Sequence, residues 1–261
     1  MLMKRFINKT KIISTDMRRI VMFLVFVHMG TCLLLVNAQN IEPVDLGLSV
    51  EWANMNVGAD TPEEYGSYFA WGEVKTKRYY GDFSNNKYLD DKRIHKYNYL
   101  PLTNSKYDNL TVLLSEDDAA TRNLGSKWRM PTEEEVQELI DNCEFVKDTL
   151  NGTRGYLVKN KNGVGESMFL PFAGWIDYGR HRLYPGTSAY YWTATLDNWN
   201  QVNIVKEKAN KVLEGTLHKD SLNIGIVRES KCLILSDDDP IINYVDRRKG
   251  CAIRPVYVGK R

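Results

Sequence analysis

Carboxylates, imidazoles, thiols and aromatic rings are the side chains through which this 261-residue chain could act, and spacing narrows each class. Glu133, Glu134, Glu135 and Glu138 lie close enough for two of them to serve as general acid and base. They sit at the start of an expected helix, however, where unpaired amides favour carboxylates with no catalytic role. Asp237, Asp238 and Asp239 offer oxygens to a hard cation such as calcium. Three consecutive acids lack the alternate spacing of a calcium loop and read as a solvated turn. His95, His181 and His218 stand in polar stretches with no Cys, Asp or Ser beside them in a catalytic pattern. Cys143, Cys232 and Cys251 have no zinc spacing. They allow one disulfide and one free thiol, or three small buried hydrophobes. No nucleophile elbow or phosphate loop is present. The expectation is a protein without catalytic residues, metal or cofactor.

The aromatic residues are more telling. Trp52, Trp71, Trp128 and Trp192 fall within apolar blocks and are expected in the core. Trp175, Tyr178, Tyr184 and Trp199 instead stand among Gly, Asp, Asn, Arg180, His181 and Arg182. Flat rings beside polar groups suit the apolar face of a sugar or a peptide anchor. The competing reading is that these rings fold back onto a small core. A tyrosine-rich stretch, 79–107, is a second candidate surface.

The elements that must position these side chains follow from periodicity. Alternation over 44–53 (VDLGLSVEWA) reads as one half-buried strand, and 68–71 as another. Residues 74–112 hold no period and read as a long surface excursion. One helix is expected from Ser115 as N-cap to Gly125. A second starts at Thr132, with Glu135 completing a capping box and Val136, Leu139, Ile140 and Cys143 forming one apolar stripe. Strands then follow at 156–158, 168–175 and 190–195, with Asn162-Gly163 as a hairpin turn. Residues 197–232 are unclear apart from alternation at 222–227. Cys251 to Val258 reads as a terminal strand, with Pro255 arguing for an edge or a bulge. Asn109 and Asn151 match the eukaryotic glycosylation acceptor pattern. No internal repeat or dividing linker appears, so the fold class is α+β in one domain, residues 39–261.

Charge sharpens the class. The chain carries 35 basic and 33 acidic residues, net +2. Residues 1–38 hold six of the bases and one of the acids, leaving 29 against 32, net −3, in residues 39–261. Within 1–38, a basic stretch, an apolar run from Ile20 to Val36 and the small-residue end Val36-Asn37-Ala38 have the layout of a signal peptide. An uncleaved anchor and lipidation at Cys32 are the competing readings. The expected protein is exported to the periplasm, cell surface or medium, and has no membrane span after signal removal. A −3 remainder gives no reason to expect nucleic-acid binding.

Five blocks of the chain, taken together, are recognisable. They are VDLGLSVEWANMNVGADTPEEYGSYFAWGE (44–73), DDAATRNLGSKWRMPTEEEVQELIDNC (117–143), GYLVKNKNGVGESMFLPFAG (155–174), YYWTAT (190–195) and GCAIRPV (250–256). In order and spacing they resemble the Fibrobacter succinogenes major paralogous domain family, secreted or surface proteins common in Bacteroidetes. The resemblance implies a C-type lectin-like domain, in which the N- and C-terminal strands pair and long loops carry recognition of a glycan or protein. Trp128 to Glu135 also resembles an element of the formylglycine-generating enzymes, but Cys232 and Cys251 are well separated in the chain and lack that family's surrounding motif. The sugar-binding motifs of calcium-dependent lectins are absent. The expected function is therefore a non-catalytic binding module. The alternatives are a structural or adhesin component of the envelope and, less favoured, a formylglycine-type enzyme.

Overall fold

Thr132 begins a helix because its side chain and that of Glu135 satisfy each other's amides. Thr132 Oγ1 accepts from the Glu135 N–H at 3.3 Å, and Glu135 Oε2 accepts from the Thr132 N–H at 2.8 Å. Arg129 grips the same carboxylate at 2.5 and 2.7 Å. In the computed structural model this helix, Glu133–Asn142, is the second of three among the described residues, α1 being Ala119–Leu124 and α3 Trp199–Leu213. The structure describes residues 40–82, 86–88, 95–99, 108–179, 181–196, 199–218 and 228–259, without the side chains of 199–202, 204 and 205. The expected signal peptide (1–38), Tyr107, Arg180 and the alternation at 222–227 lie outside the described residues.

Among the described residues twelve short strands accompany the helices in antiparallel sheets, so the class is α+β. One sheet runs β1 (Pro43–Val44), β2 (Glu51–Ala53), β12 (Val256–Tyr257), β3 (Trp128–Arg129). Strand β12 thus pairs with β2, an early strand of the described residues, Val256 standing opposite both Trp52 and Arg129. A second sheet is β4 (Cys143–Leu150), β5 (Thr153–Asn160), β6 (Ser167–Pro171). The third is β11 (Ile241–Asp246), β10 (Glu229–Leu235), β9 (Ala189–Trp192). A small hairpin joins β7 (Trp175–Ile176) to β8 (Arg182–Leu183). Trp52, Trp71, Trp128 and Trp192 are all buried. Trp71 Nε1 donates to Thr193 O and Trp192 Nε1 to Phe69 O, so the polar edges of these two rings are satisfied inside the core. No described helix is long and apolar enough to cross a membrane.

Several expectations change. Residues 44–53 are two strands, because Asp45 accepts from the Gly47 N–H and Gly47 turns the chain at φ 67°. Helix α1 starts at Asp118, not Ser115. Asp118 caps Thr121 and also accepts from the Met130 N–H, while Asp117 is drawn elsewhere. Strand β12 lies inside its sheet. Pro255 precedes it, where a missing N–H interrupts no ladder. A third helix, α3, occupies part of the unclear stretch 197–232. Hairpin β4–β5 turns at Asn151-Gly152, with φ 48° and 84°. That is the positive pair that a two-residue hairpin turn demands.

The largest correction concerns the tyrosine-rich excursion. Tyr80, Tyr88, Tyr97 and Tyr99 are buried. Asp117, 2% exposed, accepts from the Tyr97 hydroxyl at 2.6 Å and from the Tyr88 hydroxyl. Lys96 and Lys87 close on the same carboxylate at 2.6 and 2.8 Å. One anion therefore holds four donors, and the Tyr97 ring packs edge-on against both Trp71 and Tyr88. Burial alone would raise the Asp117 pKa. The two ammonium groups and two hydroxyls outweigh it and hold the carboxyl far below the usual range.

A tyrosine-walled groove as candidate functional site

The hairpin β7–β8 is built from backbone upward. Gly174 enters it at φ 65° in a space where a Cβ would lie 2.2 Å from Leu183 O, so only glycine fits. At its tip, Asp177 Oδ1 accepts from the Tyr178 N–H at 3.0 Å, and Tyr178 itself takes a left-handed backbone, φ 45°. Gly179 then pairs with Tyr80 in both directions, at 3.1 and 3.2 Å. This bridge joins distant parts of the sequence and sets the Tyr178 ring, 85% exposed, across from Tyr79, 49% exposed.

Between them lies a groove of about 520 Å³, lined also by Gly81, Asp82 and Arg248. Its floor is rigid. The Tyr80 ring is buried beneath it, with its hydroxyl donating to Tyr68 O at 2.5 Å, and burial pushes that hydroxyl up to about 12. Gly81 accepts from Arg248 Nη1 at 3.1 Å and donates to Arg248 O at 3.0 Å. Asp246 holds the rest of that guanidinium at 2.5 and 2.8 Å, which raises the Arg248 pKa. Lys249 pairs with Asp177 at 3.3 Å. The charges around the groove thus serve mainly to fix its walls, and the exposed surface it offers is two phenol rings and the Asp82 carboxylate. Such a surface can stack on a flat apolar face and exchange hydrogen bonds with hydroxyls beside it.

The four residues singled out by sequence separate. Trp175 and Tyr184 come together as a stack, centroids 5.2 Å apart and planes at 26°. Tyr190 packs on Trp175 at 4.3 Å, so Trp175 is half-buried against the core while Tyr184, at φ 53°, remains exposed. Tyr178 joins no ring pair among the described residues and lines the groove instead. Trp199 opens α3, and its side chain lies outside the described residues. In the sequence Tyr79 is one tyrosine among many. Its exposure beside the buried Tyr80 is a tertiary fact.

Several of the other chemical side chains have structural partners. Glu133 meets Lys231 at 3.3 Å, Glu135 is held in the capping box, and Glu138 accepts from Ser49. Asp237 pairs with Lys147 at 3.1 Å. Among the described residues no three His, Cys, Asp or Glu side chains converge. Cys143, Cys232 and Cys251 are free and buried. Burial lifts the Cys143 thiol to about 11. Cys232 is lifted well above the ordinary range by burial and by the Cys251 sulfur beside it. Those two cysteines therefore meet despite their sequence separation, as thiols closed off from solvent. A thiol held protonated is a poor nucleophile.

Comparison with family models, with curated proteins and with solved structures finds no match to this chain.

Proposed function

We propose that this chain is an exported, non-catalytic binding module of C-type lectin-like fold, holding a glycan or protein ligand in the groove between Tyr79 and Tyr178. One observation carries the reading. A large aromatic residue occupies a strained backbone conformation with its ring in solvent, locked there by the paired bonds between Gly179 and Tyr80. Non-glycine residues in the left-handed region cost about 1–3 kcal/mol, persist only where their surroundings enforce them, and cluster at ligand clamps. The resemblance of the five sequence blocks to a secreted domain family supports the fold, the export and the recognition role. Pairing of β2 with β12 agrees with that fold. The Trp175–Tyr184 stack on the same hairpin is a second aromatic face belonging to the same surface.

The test is binding of the labelled full chain to an array of bacterial and host glycans and to a panel of cell-surface proteins, with and without chelator. A ligand should be captured, and Tyr178→Ala and Tyr79→Ala should each weaken it several-fold without unfolding the protein. If both variants bind as the parent does, the groove is not the recognition site.

A further inference from the structure

A second groove, of about 880 Å³, lies between β4 and the turn at 236–240. Among the described residues β5 is the one strand that pairs with β4, so the outer side of an eight-residue strand has no strand beside it. Natural edges are usually shortened, bulged or interrupted by proline. Strand β4 carries Glu144, Lys147 and Asp148 but is none of these: its register with β5 runs unbroken from Cys143 opposite Asn160 to Leu150 opposite Thr153. The groove alongside has an apolar lining of Ile140, Phe145, Tyr156 and Pro240, and Val146 is 42% exposed. An open edge beside apolar pockets is what strand addition by an extended peptide requires.

Charge indicates the occupant. Lys147 and Arg154 are committed to Asp237, at 3.1 and 3.7 Å. Lys161 donates to Asp141 O at 2.6 Å, at the end of helix α2, and Lys159 faces Glu144 at 3.3 Å. Asp238 and Asp239 are exposed and have no ion-pair partner among the described residues. They leave the rim of the groove negative. A second copy of β4 meets like charges in the two registers at the strand centre. Two-fold pairing centred on Val146 sets Glu144 opposite Asp148, and pairing centred on Lys147 sets two lysines opposite each other, both repulsive.

We propose that this groove takes an extended peptide segment that adds as a strand to β4 and lays a lysine or arginine against Asp238 and Asp239. This site is separate from the tyrosine-walled groove and does not depend on it.

The probe is a labelled heptapeptide of alternating valine and lysine, titrated into the full chain and followed by fluorescence anisotropy and backbone hydrogen exchange. It should bind, and exchange should slow within 143–150 and not within 79–82. A glutamate-for-lysine peptide should bind more weakly, and N-methylation of one alternate set of amides should abolish binding. Asp238→Asn combined with Asp239→Asn, in an exposed turn, should weaken binding by roughly two- to tenfold, the scale of two exposed ion pairs. Absence of binding at millimolar peptide, equal affinity in the double variant, or protection outside 143–150 would each overturn the proposal. So would a dimer of the chain that competes with the peptide, which would assign the edge to a second copy.

Discussion

Replacing Tyr178 by alanine and by glycine separates the work of its ring from the work of its backbone. The ring is 85% exposed. Its removal therefore gives up little buried surface. The backbone stands at φ 45°. For any residue with a Cβ that left-handed conformation is strained by about 1–2 kcal/mol. Alanine keeps that strain and glycine escapes it. Against this gain, the freer unfolded chain of a glycine variant costs roughly 0.5–1 kcal/mol. The balance favours Tyr178→Gly over Tyr178→Ala by about 0.5–1 kcal/mol, the reverse of the order at ordinary helix or strand positions. For a domain of this size 1 kcal/mol corresponds to about 2–4 °C in Tm. The glycine variant should therefore melt about 1–4 °C above the alanine variant when both are followed by circular dichroism at matched concentration. Ligand binding should fall equally in the two. An alanine variant at least as stable as the glycine variant would refute the strain. A stabilised glycine variant with undiminished binding would refute its connection to function.

Three further outcomes follow from the same geometry. Asp117→Asn should cost about 2–4 kcal/mol in urea unfolding, near the loss for breaking a buried ion pair but eased because Lys87 can rehydrate. The folded carboxyl titrates below its unfolded value, which is about 3.9. Its contribution is therefore present above that pH and fades as pH falls through the folded pKa, so the parent and variant should converge in acid. A gap unchanged between neutral pH and pH 2 would contradict this. Gly155→Ala would place a Cβ 2.3 Å from Leu170 O and 2.8 Å from Pro171 Cα, both backbone, so β5 and β6 must part. The expected loss is about 1–3 kcal/mol, read from the urea midpoint. Cys143, with its thiol lifted to about 11, should resist iodoacetamide at pH 8 in the native protein and react on unfolding, as mass spectrometry would show.

How far these features can be read in the chain differs by element. The Thr132–Glu135 cap, the burial of four tryptophans and the turn at Asn162-Gly163 depend on neighbours within a few residues, and local pattern determines them. Two further elements are equally legible and easily overlooked. Asn151-Gly152 carries the same turn signal as Asn162-Gly163, masked by its match to a glycosylation acceptor. Val202, Val205, Ala209 and Val212 keep the helical period across α3. Tertiary structure alone decided the rest. Tyr88 and Tyr97 carry no burial period, and they turn inward because Asp117, far along the chain, accepts their hydroxyls. Tyr79 and Tyr178 become two walls of one groove only through the Tyr80–Gly179 bridge, and Cys232 meets Cys251 only once their separate segments flank β9. Caps and turns are written in consecutive residues. A hydrogen bond or a groove between distant segments is written nowhere until the chain has closed on itself.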